Sequence, residues 1–212
     1  RYHVLHLSTK QSLEHVRRAK AHVDDTGARI SCEVSPHHLM LTFDDVVRAG
    51  VDRPRSAADL DVNRKMNPPL RSRADREALI EGIADGTVDA VATDHAPHAA
   101  DEKGKGFVDA PFGVTGLETL LAVVLDFAHH GVISVSRAVE LLSAGPARVL
   151  QRNIGAVSAL PDVTLVDPAL SWTVNAGTVT SRSKNSSFLG RTFRGRCVAT
   201  FVRGRMVYRL VS

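Results

Sequence analysis

From Trp172 to Ser212 the sequence contains no Asp and no Glu, whereas Arg182, Lys184, Arg191, Arg194, Arg196, Arg203, Arg205 and Arg209 all fall there. The whole chain carries +4, so this tail holds +8 and the remainder −4. Such a tail has the charge of a nucleic-acid surface. The absence of an aromatic stacking series interleaved with these arginines argues the other way. We therefore expect outward-facing arginines on β-strands, or a rim facing an acidic partner subunit, and no nucleic acid. Cysteine is nearly absent. Cys32 and Cys197 lie far apart in regions of different character, which argues against a disulfide framework and for a reducing, cytoplasmic setting. No apolar run approaches the roughly 20 residues needed to cross a bilayer, so no membrane is expected. Repeats and low-complexity segments are lacking as well. The opening residues show no leader pattern and no initiator Met, and they already alternate like a strand. We expect them to lie inside a longer protein.

What is present reads as a folded domain: 212 residues, 43% hydrophobic and 24% charged. Residues 2–7 and 29–34 are strand candidates, and a helix between them starts at a capping box over residues 8–11. That helix is expected to run to about Asp24, with Leu13, Val16 and Val23 on one side and Gly27 as its stop. Residues 44–49 suggest a short helical turn, and 51–61 an exposed insertion loop. Pro68 and Pro69 enforce an extended path. Ser72 should cap a helix over residues 73–85, with Leu79 and Ile83 inward and Gly86 ending it. Strand, helix, strand, helix, strand is the rhythm of a parallel α/β sheet. Residues 99–106 read as a flexible loop. A well-buried helix is expected over 116–130, opened by a second capping box at 115–118. Further helices are expected over 136–143 and, opened by Pro146, over 147–151. Beyond Asn153 come four β-branched runs at 163–166, 172–174, 197–202 and 206–210, a small β module.

The chemistry concentrates in Val88-Asp89-Ala90-Val91-Ala92-Thr93-Asp94-His95-Ala96-Pro97-His98. An apolar run that ends in a carboxylate and imidazoles fits a buried parallel strand whose C-terminal end carries function. His6 occupies the same kind of position after the first strand. Carboxylate and imidazole are ligands for a divalent metal such as zinc. Adjacent residues on an extended segment point opposite ways, so His37 and His38 are expected to be structural, with Glu33 at most an outer support. His15, His22, His129 and His130 fall on helix surfaces and receive no role.

Thr93-Asp94-His95-Ala96-Pro97-His98, together with Lys65-Met66-Asn67-Pro68-Pro69-Leu70-Arg71 and Leu5-His6-Leu7-Ser8-Thr9, resembles the dihydroorotases of the bacterial type, within the amidohydrolase superfamily. The likeness runs over residues 2–208. It implies an α/β fold, the C-terminal part of a (β/α)8 TIM-type barrel over residues 1–152, followed by strands of a small β-sandwich over 153–212. It implies a zinc-dependent enzyme, with one or two Zn2+ per complete site, that interconverts dihydroorotate and N-carbamoyl-aspartate. His6 and Asp94 would bind metal, and Asp94 would also act as general acid and base toward a metal-activated hydroxide. Asn67, His98, Phe112 and Gly113 would bind substrate. The family's opening His-x-His-x-Arg strand, a bridging Asp or carboxylated Lys and a further His are not found in this chain. The missing N-terminal half of the barrel is therefore an expected partner, and the isolated chain is expected to be inactive. A homodimer or an aspartate transcarbamoylase partner also follows from the likeness. The alternatives are another cyclic amidase, of hydantoinase or allantoinase kind, and a non-catalytic scaffold subunit of a transcarbamoylase complex.

Overall fold

The computed structural model describes residues 1–22, 29–154 and 162–211. Its first sheet is parallel and contains β1 (Tyr2–Val4), β2 (Ile30–Val34) and β3 (Ala90–Val91), in that order. Val4 pairs with Cys32, and Val34 with Val91. Alternation sends Cys32 and Val34 into the core, fully buried. His3, Ser31 and Glu33 share the opposite face, where His3 bonds Ser31 at 2.7 Å and Glu33 at 3.1 Å.

Helices α1 (Lys10–Ala21), α2 (Pro36–Met40) and α3 (Arg73–Asp85) connect and cover these strands. The cap of α1 lies one residue beyond the expected position: extended Thr9 accepts the Ser12 N–H at 3.1 Å. Its described part closes at Ala21, and the expectations for Val23, Asp24 and Gly27 lie outside the described residues. Helix α3 forms as expected, with a Ser72–Asp75 capping box and Gly86 at φ +89°. Leu13, Leu79 and Ile83 are fully buried, each contributing roughly 1.5–3 kcal/mol. Gly82 permits this closeness, since a Cβ there would stand 2.9 Å from a Leu13 methyl.

Two connections are more ordered than their composition suggests. Residues 43–46 and 57–59 form 3-10 turns, and the insertion is tied back by the Asp61 N–H to the Val46 carbonyl at 2.9 Å. Residues 99–106, expected to be flexible, enter α4 (Ala100–Lys103), followed by α5 (Gly106–Asp109). The reason is Lys103, a buried residue whose ammonium donates to the Val62 and Pro111 carbonyls at 3.1 and 2.9 Å. Burial pushes its pKa down to about 8.

Helix α6 (Leu120–His129) is well buried but begins later than expected. The capping box at Thr115 does not form, because both its groups are used elsewhere. The Thr115 N–H donates to the Asn185 carbonyl, and the Glu118 carboxylate accepts the Ser181 N–H. Helix α7 (Val135–Val139) runs through a π-helical turn (Glu140–Ala144) into α8 (Gly145–Leu150), rather than stopping before Pro146. Gly145 is placed so that a Cβ would collide with the Asp89 carbonyl.

The second sheet is antiparallel: β4 (Val163–Thr173), β5 (Thr192–Val202) and β6 (Arg205–Arg209). The two runs expected at 163–166 and 172–174 are one strand, interrupted by an irregularity between Asp167 and Ser171. Trp172, Phe188 and Phe193 join the core, and Gly195 at φ +103° lets β5 meet Leu125 of α6. Arg191 stacks over Phe193 at 5.2 Å, and Arg196 over Trp172 at 4.9 Å, so part of the basic tail is used within the sheet. Among the described residues no helix is long and apolar enough to cross a membrane.

Candidate active site

Three strand ends point to one edge of the parallel sheet. His6 follows β1, Ser35 and α2 follow β2, and Asp94 follows β3. Both candidate metal ligands occupy left-handed backbone, His6 at φ +32° and Asp94 at φ +49°. The other described non-glycine residues with positive φ are Gln151, which ends α8, and Arg203, in the β5–β6 hairpin. For those two a cap and a tight turn explain the conformation. His6 and Asp94 instead leave strands in strained geometry, the kind of strain that concentrates at functional positions. Asp94 is exposed and His6 half-buried.

His37 and His38 differ from their expected arrangement. They do not lie on an extended segment: Pro36 opens α2, which carries both imidazoles side by side with centroids 4.4 Å apart. Both rings are buried, which holds them neutral; His37 falls well below the usual range and His38 to about 4. After burial, His6 lowers both further, while Asp94 and the bond to the Pro68 carbonyl act to raise His38. His38 Nε2–H donates to the Pro68 carbonyl at 2.9 Å, fixing the chain just after Asn67. Its Nδ1 and His37 Nε2 have no protein partner.

The candidate substrate residues are joined more closely. Asn67 presents an exposed side chain between buried Met66 and the anchored Pro68. The Gly113 N–H donates to the Lys65 carbonyl at 2.8 Å. Lys65 Nζ–H donates to the Val108 and Ala110 carbonyls and lies 4.6 Å over the ring of Phe112, itself 54% exposed. His98 Nε2–H donates to the Phe112 carbonyl at 2.9 Å, and its Nδ1 stands 3.7 Å from Glu102. Gly113 is required here, because at φ +96° a Cβ would come within 2.6 Å of that of Ala96. His98, Phe112 and Gly113 thus belong to one hydrogen-bonded assembly, which reaches the Asn67 segment through the Lys65 carbonyl. The backbone groups named, Gly113 N–H and Phe112 C=O, are spent inside it. His95 turns away: its Nδ1 accepts the Gly116 N–H at 3.1 Å.

Sequence reasoning missed Lys65, Lys103 and Asn185, which hold these pieces together, whereas the structural part expected of His38 is seen in its bond to the Pro68 carbonyl. The Ser35-Pro36 step was a readable helix start that would have placed the two histidines. For Asn185, in a polar Ser-Lys-Asn-Ser-Ser stretch, no local signal exists. His98, Lys103 and Asn185 also line a cavity of about 990 Å3 with Arg48 and Arg182. It does not reach His6, Asn67 or Asp94, so it is not the reacting centre.

Residues 2–207 match the profile named Amidohydrolase family. The chain belongs to the amidohydrolase family. It is 46% identical over 208 residues to a dihydroorotase of Geobacter sp. (strain M21), covering 97% of this chain and 45% of that protein. It is 43% identical over 210 residues to the dihydroorotase of Bacillus caldolyticus, covering 98% of this chain and 46% of that one. Among solved structures it resembles the L-hydantoinase (dihydropyrimidinase) from Arthrobacter aurescens, with a TM-score of 0.81 and 30% identity over 99% of this chain and 46% of the other. The chain therefore spans somewhat less than half the length of the relatives it matches.

Amidohydrolases generally depend on metal. An imidazole and a carboxylate at strand ends are suitable donors, and to that extent this amidohydrolase chain fits a metal. Among the described residues, however, no group of three or more His, Cys, Asp or Glu side chains is placed to hold an ion.

Proposed function

We propose that this chain is the C-terminal portion of a dihydroorotase, residues 1–152 supplying part of a (β/α)8 barrel and 153–212 part of a small β-sandwich. The observation that carries the reading is the joining of His98, Phe112 and Gly113, in the turns that follow β3 and Asp94, with Lys65 two residues before Asn67. The 46% identity to a dihydroorotase supports the choice among cyclic amidases. Hydrolysis of dihydroorotate adds water across the ring amide: a C–O bond forms at the carbonyl carbon, the C–N bond breaks, and nitrogen takes a proton. Asp94 is exposed at its strand end, free to accept the proton from water and pass it to the departing nitrogen. Zinc, held by His6 and Asp94 with further ligands from the N-terminal half, supplies Lewis acidity when bound. Asn67 binds the ring, and His98 the substrate carboxylate. The neighbouring Phe112 and Gly113 close the pocket, their backbone fixed by Lys65 and His98.

The test is steady-state hydrolysis by the whole protein. Dihydroorotate should be the preferred substrate, and His98→Ala should raise its KM at least tenfold. Faster turnover of hydantoin or allantoin would replace this reading by that of another cyclic amidase. Metal and substrate bound without turnover of any of them would favour a scaffold subunit.

A further inference from the structure

We infer that Asn185 is a positioning residue for the substrate side of this site, an inference that rests on the dihydroorotase reading above. Asn185 lies between β4 and β5, far in sequence from every candidate site residue, and is only 5% exposed. Its amide Oδ1 accepts the His98 N–H at 3.2 Å. Its Nδ2–H donates to the Ala96 carbonyl at 2.9 Å and reaches the Gly113 carbonyl at 3.4 Å. Its own carbonyl accepts the Thr115 N–H at 3.0 Å. One side chain thus ties the turn that carries His98 to the turn that carries Gly113.

The pairing needs a donor and an acceptor on one short planar group, which among side chains of this size only asparagine offers. The peptide groups it satisfies lie in turns that leave the sheet, beyond the ladder that pairs β3. The adjoining bridge, from the Ala96 N–H to the Val114 carbonyl at 2.9 Å, is the only backbone tie between these turns among the described hydrogen bonds. Asn185 is itself firmly placed. Val179 and Phe188 on either side are buried in the core, and the Ser181 N–H is held by Glu118 at 2.7 Å.

Nothing in this set of bonds involves Asp94. The side chain of Asn185 fixes where His98 and Gly113, both candidate substrate residues, stand relative to each other. Its loss therefore acts on substrate affinity more than on proton transfer. The segment that leads into β5 then has a direct part in the site and is more than an appendage beside it.

The experiment compares Asn185→Ala and the near-isosteric Asn185→Asp with Asn175→Ala in the whole protein. Asn175 is a control from the same region: exposed, it caps its own turn by accepting the Gly177 and Thr178 N–H groups at 2.9 and 3.0 Å. Dihydroorotate KM and kcat are measured with thermal midpoints and hydrogen exchange at the His98 amide. We expect Asn185→Ala to raise KM about tenfold with kcat within threefold, and to speed His98 exchange. Asn185→Asp, which keeps the acceptor for the His98 N–H but sets an oxygen against the Ala96 and Gly113 carbonyls, should raise KM as well. Asn175→Ala should lower the midpoint and leave KM unchanged. An unchanged KM in both Asn185 variants, or a loss confined to the midpoint as in the control, overturns the inference. Absence of dihydroorotate turnover in the unmodified protein overturns the dihydroorotase reading instead, and the two failures are thereby distinct.

Discussion

The two sides of the candidate site are built in opposite ways. His6 and Asp94, on the metal side, stand at the ends of β1 and β3 in strained backbone, with no described side-chain hydrogen bond to fix either of them. Around the candidate substrate residues, by contrast, His98, Phe112 and Gly113 are joined with Lys65 and Asn185, and His38 holds the Pro68 carbonyl next to Asn67. The described hydrogen bonds thus gather around the candidate substrate residues and leave the candidate metal ligands without side-chain partners.

Asp94 is where the contrast breaks most severely. Asp94→Asn in the whole protein should keep the fold, since Asn tolerates left-handed backbone as well as Asp does. It should lose about 100- to 10,000-fold in kcat, because an amide cannot carry the proton. Circular dichroism and steady-state kinetics check both halves of that statement, and near-normal turnover would remove Asp94 from the mechanism.

Gly113→Ala attacks the substrate side through its packing. The new methyl meets the Ala96 Cβ at 2.6 Å from a backbone at φ +96°, where no relief by rotation exists. A loss of roughly 1–3 kcal/mol is expected from overpacking and strain, read as a lower urea midpoint together with a raised KM.

His38 gives a pH test. Its folded pKa, near 4, lies below the ordinary value of 6.5, chiefly through burial. Between those values the unfolded chain binds more protons than the folded one. The stability that neutral His38 permits is therefore present above pH 6.5 and lost progressively as pH falls toward 4. The lost amount is roughly 3 kcal/mol at most. Urea midpoints across that window should fall on acidification, and His38→Gln should flatten the slope. An equally steep slope in the variant would show that other groups carry it.

Much of this arrangement could be read from the residues, and the limits have physical causes. The apolar run before Asp94 and the capped helix at Ser72 are local signals, and both elements form where expected. The histidine pair was misplaced because alternation was applied to a segment that Pro36 turns into helix. Thr115 and Glu118 have the residues of a capping box, but partners at Asn185 and Ser181 claim both groups. Residues 99–106 look flexible until the buried Lys103 is seen to anchor them. In each case a contact distant in sequence overrode a local preference, and Asn185 belongs wholly to that distant kind.

The proposal that His6 and Asp94 are two ligands of a centre completed elsewhere is tested most directly by metal. The purified chain, alone and mixed with the N-terminal half of a dihydroorotase relative, is analysed for zinc by mass spectrometry and for dihydroorotate turnover. A pair of ligands should hold zinc well below one ion per chain and give no turnover, and adding the other half should raise both. One zinc per chain with measurable turnover from these 212 residues alone would contradict the account.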